Sequence, residues 1–194
     1  MVNLVLDLDE TLIHTVEVTK KFSNQLSKAV DFYFRIEDQW YWVVKRPGLD
    51  LFLDFVFKYF KVGIWTAGDK EYAKHICKNI LSYSQLKQIQ FIYSRNFCHL
   101  EQNPPAFSKP LNKLFDLYPE LNEKNTVMLD NNLNVMKYNQ HIGINIPDFI
   151  NQYNDGMLYH IRNVVIKFYQ RNNMNTSSHI LAKEVNNYLK TIKD

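Results

Sequence analysis

The chain has 194 residues, enough for one domain with a real core but not for two, and its 46% hydrophobic and 22% charged residues exclude a mainly disordered polymer. A formal net charge of +3 is the signature of a mixed, solvated surface and gives no ground for nucleic acid or a membrane as partner. Cys77 and Cys98 lack C-x-x-C or metal spacing, so both read as packing thiols of a reducing, intracellular compartment, with nucleus and cytoplasm left open.

The first ten residues carry no basic segment, and Asp7 and Asp9 cut their apolar run short, so a signal peptide is not expected. Residues 2–8 form a nearly continuous apolar run ending in acid, the pattern of a strand buried on both faces of a parallel sheet. Residues 32–36 and 40–44 are β-prone aromatic runs around Glu37-Asp38-Gln39 and predict a hairpin. After Pro47-Gly48, residues 49–60 read as a helix and residues 61–65 as a second buried strand. The apolar stretch 49–65 is broken by Asp50, Asp54, Lys58 and Lys61 and cannot span a membrane. Asp69 can cap a helix to about Leu81, with Tyr72, Ile76 and Ile80 on one face.

Residues 94–108 look irregular, with Pro104-Pro105 inside them, and Pro110 suits the first turn of a helix through Tyr118. Residues 126–129 are a third buried strand ending at Asp130, and residues 141–146 a fourth. Residues 157–169 read as a helix, residues 171–178 as a polar linker, and Leu181, Val185, Tyr188 and Ile192 as the stripe of a last amphipathic helix. That helix either packs back on the domain or forms a partner or homodimer interface. Strands alternating with helices give an α/β fold with a largely parallel sheet, whose ligands bind beyond the carboxyl ends of the strands.

Three of those strand ends carry polar groups: Asp7 and Asp9, Thr66, and Asp130. Two carboxylates at the mouth of a buried strand are costly unless they are paired or hold a cation. A hard cation such as Mg²⁺ takes oxygen ligands and shields the pair, so that one carboxylate can attack phosphorus while the other transfers protons. A solvated turn or helix cap also explains a lone Asp-x-Asp. A calcium loop does not, because Leu12 and Val18 stand where glycine and glutamate are needed. Gly63-Ile64-Trp65-Thr66-Ala67-Gly68 offers a hydroxyl and backbone N–H groups as a phosphate cradle, or is an ordinary turn. Lys109 can neutralise phosphate oxygens or be merely solvated, and Asp130 is a metal ligand or a cap.

Together and in this order, these segments resemble the four motifs of the haloacid dehalogenase superfamily. They are closer still to its small C-terminal-domain phosphatases (the FCP/SCP-like group), which remove phosphate from serine in the tail of RNA polymerase II. The likeness rests on Asp7-Leu8-Asp9-Glu10-Thr11-Leu12-Ile13-His14, on Val44-Lys45-Arg46-Pro47-Gly48 with Leu51-Phe52-Leu53, and on Trp65-Thr66-Ala67-Gly68 with Tyr72-Ala73. Tyr93-Ser94-Arg95, Ser108-Lys109-Pro110-Leu111 and Leu129-Asp130-Asn131 complete it, over roughly residues 3–170. A phosphatase domain over residues 1–170 and a linker-plus-helix over 171–194 follow.

The resemblance implies a Rossmann-like central parallel sheet flanked by helices, with the first-motif strand at its centre and a small hairpin insertion instead of a large cap. It implies that Asp7 is the nucleophile and Asp9 the general acid and base, and that Thr66 and Lys109 hold the phosphoryl group. It assigns Mg²⁺ to the Asp7 side chain, the Asp9 carbonyl and Asp130, with Asn131 beside it through water. Thr11, Ala67, Gly68, Tyr72 and Arg95 are implied substrate contacts, and Phe34 and Ile36 join Tyr72 as candidates for an apolar pocket. The expected partner is a phosphorylated protein or peptide, the polymerase tail among them. Phosphatases of small metabolites or nucleic-acid ends, and non-catalytic binding relatives, are the alternatives. This sequence departs from the pattern at Glu17, where relatives often place an aromatic, at Pro110 in place of a common aspartate, in a shortened hairpin turn, and beyond about Gln170.

Overall fold

The computed structural model describes residues 1–18, 30–102, 105–172 and 177–192. The chain opens with β1 (Asn3–Leu6), four residues buried on both faces, followed by β2 (Ile13–Val18). Next come β3 (Phe32–Ile36), β4 (Gln39–Lys45), α1 (Leu49–Tyr59) and β5 (Lys61–Trp65). Helices α2 (Lys70–Ile80) and α3 (Tyr83–Gln88) lead to β6 (Ile92–Tyr93), a 3₁₀ turn at Arg95–Phe97, β7 (His99–Gln102) and β8 (Pro105–Ser108). Helix α4 (Asn112–Leu117), β9 (Thr126–Asp130), β10 (Gly143–Asn145), α5 (Met157–Asn172) and α6 (Ser178–Thr191) complete the order.

The main sheet has the order β10-β9-β1-β5-β6 and is parallel throughout, so the strand that ends in Asp7 lies at its centre. Side chains alternate between its faces. Leu4, Leu6, Val62, Ile64, Val127 and Leu129 face a core completed by α1, α2, α5 and α6. Val5, Trp65 and Met128 face the other way, onto Phe91, Leu111 and Leu114 at the start of α4 and just ahead of it. Local chemistry sets the element ends. Gly48 enters α1 at φ 81°, and a Cβ there would stand 2.6 Å from the Tyr159 ring, so both the backbone angle and the close approach require glycine. The Asp69 carboxylate accepts the Tyr72 N–H at 2.8 Å and caps α2. Ser82 and Gln85 close a reciprocal capping box on α3.

Four segments differ from the sequence expectation. The aromatic hairpin has a third strand: β2 pairs antiparallel with β4, from Ile13 opposite Lys45 to Val18 opposite Trp40. Residues 94–102 and 105–108 are ordered by the 3₁₀ turn and the β7–β8 hairpin; Pro104 lies outside the described residues. Pro110 precedes α4, whose cap is Leu111, and does not sit inside its first turn. Helix α5 runs on to Asn172, and α6 begins at Ser178, so the expected linker shrinks at both ends; its residues 173–176 lie outside the described set.

Helix α6 lies against α5, β9 and β10, with Leu181, Ala182, Val185 and Leu189 buried. Each large side chain so buried contributes on the order of 1.5–3 kcal/mol. Tyr188 and Ile192 of the same stripe are half-buried against the core. No helix among the described residues is long and apolar enough to cross a membrane.

Candidate active site

The carboxyl ends of β1, β5 and β9 converge on one charged cluster. Asp7 follows β1 directly, and its N–H continues the ladder to the Leu129 carbonyl at 3.0 Å. The chain then turns sharply. Glu10 sits at φ 58°, a left-handed angle rare for a residue with a side chain, and the Leu8 carbonyl accepts from Thr11, Leu12 and Ile13 at 3.3, 2.8 and 3.1 Å. This turn carries the chain from the central sheet into β2 and leaves Asp9 beside the end of β5.

Lys109 brings the cluster together. Its ammonium lies 2.5 Å from Asp7 Oδ1 and 2.8 Å from Asp130 Oδ2, and the whole residue is 1% exposed. Its backbone N–H donates to the Val135 carbonyl at 3.1 Å, and its own carbonyl accepts from Asn139 Nδ2 at 2.5 Å. Buried Asn139 also accepts the Leu111 N–H at 3.0 Å, so this one amide fixes the segment that presents the lysine. No sequence signal marks it: Asn139 stands in a loop that also holds Asn131, Asn132 and Asn134.

Asp9 faces the other side of the cleft. Thr66 Oγ1 donates to its Oδ2 at 3.3 Å, and the Tyr72 hydroxyl donates to its Oδ1 while lying 2.7 Å from Thr15 Oγ1. Thr66 is itself fixed, because its oxygen accepts the Gly68 N–H at 2.9 Å. Burial first, and then the neighbouring Asp7 charge, push the Asp9 carboxyl up to about 6, against the pull of Tyr72, Thr66 and Lys109. Burial and Asp7 likewise raise Asp130 to about 6, opposed by Lys109 and by the Asn132 N–H on Oδ1 at 2.9 Å. Burial works against a charged Lys109, but Asp7 and Asp130 outweigh it and hold its pKa above the ordinary lysine range. The lysine is a fixed cation at neutral pH.

Charge counting tests the metal. Asp7 and Asp130 are buried and share the one ammonium of Lys109, and Asp9 lies close enough to feel the Asp7 charge. Such an excess of buried negative charge is unfavourable alone and matches a divalent cation, and the hard oxygens of Asp7 and Asp130 are the donors that Mg²⁺ prefers. The residues present fit the ion.

Not every expected residue joins the site. Thr11 is fully buried, its hydroxyl donating to Asn131 Oδ1 at 3.0 Å and accepting the Asn131 N–H at 3.1 Å, so it ties two loops together and touches no open space. The Asn131 amide is committed to Thr11 and, at 2.9 Å, to Asp148, and is not turned toward Asp130. Beside Asp9 opens a cleft of about 320 Å³ walled by Glu17, Tyr41, Asp69, Tyr72, Arg95 and the Ala67–Gly68 backbone. Arg95 lines it while its Nε and N–H donate to the Ala67 and Gly68 carbonyls, both at 2.7 Å.

Phe34 and Ile36 do not line this cleft. The period of two along β3 turns Phe32, Phe34 and Ile36 toward α2 and the core. Phe34 stacks on Tyr41 and His75 at 5.1 and 4.9 Å and lies 5.8 Å from Tyr72, so it backs the cleft wall from inside. Thr15 and Tyr41 reach the cleft instead. Alternation along β2 is the signal that puts Thr15 and Glu17 on one face.

The chain and its fold have parallels among known proteins. A family model described as "NLI interacting factor-like phosphatase" matches residues 2–175. The putative CTD phosphatase-like protein 355R of Invertebrate iridescent virus 6 is 32% identical over 138 residues, 67% of this chain and 76% of that protein. Its namesake in Invertebrate iridescent virus 3 is 44% identical over 87 residues, 43% of this chain and 46% of the relative, so the match spans under half of that protein's length. An RNA polymerase II C-terminal domain phosphatase of Encephalitozoon cuniculi is 30% identical over 139 residues, 72% of this chain and 30% of its own. Among solved structures, Fcp1, an essential RNA polymerase II CTD phosphatase, superposes with a TM-score of 0.60 at 22% identity, over 94% of this chain and 52% of that one. At that identity the likeness shows a common fold.

Proposed function

The chain belongs to the NLI interacting factor-like phosphatases, a haloacid dehalogenase-type family, and from that premise we propose that it is a Mg²⁺-dependent phosphoprotein phosphatase that works through a phosphoaspartate on Asp7. One observation carries the reading: Asp7 is held by Lys109 across from Asp130, while Asp9, two residues on, is kept protonatable near neutrality. The two carboxylates therefore have different environments, which is what separates a nucleophile from an acid.

Asp7 acts in its ionised form. Its carboxylate oxygen attacks phosphorus, the bond from phosphorus to the serine oxygen breaks, and Asp9 gives its proton to that leaving oxygen. Asp9, now a carboxylate, takes a proton from a water whose oxygen attacks the same phosphorus. The bond to Asp7 then breaks, phosphate leaves, and both aspartates return to their starting states. Lys109 and the Thr66 hydroxyl, with the N–H groups of the turn after β5, offset the charge that develops on the phosphoryl oxygens. Mg²⁺, on the Asp7 side chain, the Asp9 carbonyl and Asp130, would supply further neutralisation of that charge.

The open cleft beside Asp9 suits a chain-like substrate better than an enclosed metabolite, so a phosphoserine peptide is the proposed substrate class. A peptide of the polymerase tail is the first probe to use, given the names of the relatives. Asp7→Asn, with Mg²⁺ and phosphopeptide in excess, should leave the fold intact and lower phosphate release by more than about 10⁴-fold, because an amide cannot serve as this nucleophile. Beryllium fluoride with Mg²⁺ should add to Asp7 alone. Near-normal release from the variant would overturn the assignment.

A further inference from the structure

We propose that Glu123, His141 and His179 form a zinc-binding site that fastens the C-terminal helix to the sheet, at the end of the strands opposite to the catalytic cluster. One ligand atom from each residue can be chosen so that all lie within 4.8 Å of one another. His141 Nε2 stands 3.6 Å from Glu123 Oε1, and the His141 and His179 rings are 4.9 Å apart between centroids. Ligand atoms around a tetrahedral zinc ion are separated by about 3.3 Å, given metal–ligand bonds of about 2.0–2.2 Å. Small side-chain rotations close the difference, and the side chains of His141 and Glu123 are 44% and 61% exposed and free to make them.

The backbone beneath the three residues is already fixed. Ser178, next to His179, donates its hydroxyl to the Glu123 carbonyl and its N–H to the Lys124 carbonyl at 2.9 Å. On the other side, the Ile142 N–H donates to the Asn139 carbonyl at 2.9 Å and the Ile142 carbonyl accepts the Met128 N–H at 3.0 Å, which anchors the residue beside His141. Three separate chain segments thus deliver ligands to one point: the turn before β9, the turn before β10 and the first turn of α6. A metal held by all three would close a loop through α6.

The donor chemistry selects the ion. Two imidazoles and one carboxylate suit zinc, with water in the fourth position, whereas Mg²⁺ and Ca²⁺ require oxygen ligands. The site is also separate from the catalytic cluster. Glu123 precedes β9 and Asp130 ends it, and five residues of strand set the two ends about 13 Å apart.

The test uses the untagged full chain, stripped with EDTA and returned to excess Mg²⁺ so that the acidic cluster is not open to a second metal. Titration calorimetry with Zn²⁺ should show one equivalent bound and a rise in melting temperature. Co²⁺ in place of zinc should give the intense visible bands of a tetrahedral ion. The double variant His141→Ala, His179→Gln should lower zinc affinity by more than about 100-fold and lose both effects, while melting like the metal-free parent. Should that variant fail to fold, Glu123→Gln, a change on an exposed loop, should still weaken binding and shift the Co²⁺ spectrum. One equivalent bound equally well by the variants, or no zinc taken up by the parent, would overturn the proposal.

Discussion

Among the described residues, two cations lie buried at 1% exposure, Arg46 and Lys109, and they are held in opposite ways. Arg46 grips both oxygens of Asp155 at 2.9 and 2.7 Å and donates to the Thr11 and Pro147 carbonyls, both at 2.9 Å. Four of its five N–H donors are engaged, and the charges of the pair balance. Lys109 is a point charge shared between Asp7 and Asp130, with Asp9 nearby, so its surroundings stay negative. The arginine cluster is closed and fixes the turn after β1 to the loop after β10. The lysine cluster has one cation between two carboxylates and so keeps a net negative charge that a bound cation would offset. Burial of charge alone does not mark a reactive site; an unbalanced count does.

Removing each cation separates the two roles. Arg46→Met leaves Asp155 without its partner and should cost about 3–5 kcal/mol, a fall in melting temperature on the order of 10 °C whether or not Mg²⁺ is present. Lys109→Met should lower turnover about 10²–10³-fold by removing a donor to the phosphoryl oxygens. Its stability should fall without Mg²⁺, because Asp7 and Asp130 then repel each other, and recover substantially when Mg²⁺ is added. Thermal melts of both variants with Mg²⁺ and with EDTA check this. Equal Mg²⁺ responses in the two would erase the distinction between the clusters.

The same contrast explains what could be read without a structure. Charged residues at the ends of apolar runs stand out, so β1 and β9 with Asp7, Asp9 and Asp130 are legible from the pattern itself, whereas Thr66 and Lys109 are singled out only by the family resemblance. Buried charge is rare enough to be informative wherever it interrupts such a run. The cleft wall was not legible in the same way. Whether Phe34 faces the cleft or the core depends on which strand β3 pairs with and on the helix laid across it, and aromatic composition is the same in both cases. β2 was missed because Ile13-His14-Thr15-Val16-Glu17-Val18 mixes polar and apolar residues at the edge of the small sheet and follows a tight turn. Thr11 is a substrate contact only by what the resemblance implies, whereas the turn at Glu10 directs its hydroxyl to Asn131.

A subtler break in the lysine cluster is Asp130→Ala. If Asp130 is a metal ligand, the Mg²⁺ concentration for half-maximal rate should rise on the order of tenfold or more, since few protein oxygens hold the ion. The variant also loses the bond from the Asn132 N–H, so a modest loss of stability of about 1 kcal/mol is expected regardless. Rate against Mg²⁺ concentration decides the point: an unchanged half-maximal concentration with lowered stability would reduce Asp130 to a loop cap.

The smallest change tests how Asp9 is tuned. Its carboxyl lies at about 6 because burial and the Asp7 charge outweigh the hydrogen bonds from Tyr72 and Thr66. A general acid must carry its proton to act, so kcat/KM for a phosphopeptide should decline as pH rises through the pKa of Asp9. The Tyr72 hydroxyl donates to Asp9 and so favours the ionised form. Tyr72→Phe removes that donor, keeps the ring against Phe34 and Tyr41, and should make Asp9 harder to ionise. The alkaline limb of the profile should therefore move to higher pH, by about one unit for a hydrogen bond of about 1.4 kcal/mol. Measured at saturating Mg²⁺ in both proteins, the shift isolates the hydroxyl from the metal. A limb that stays in place, or moves toward acid, would mean that Asp9 is not the proton donor.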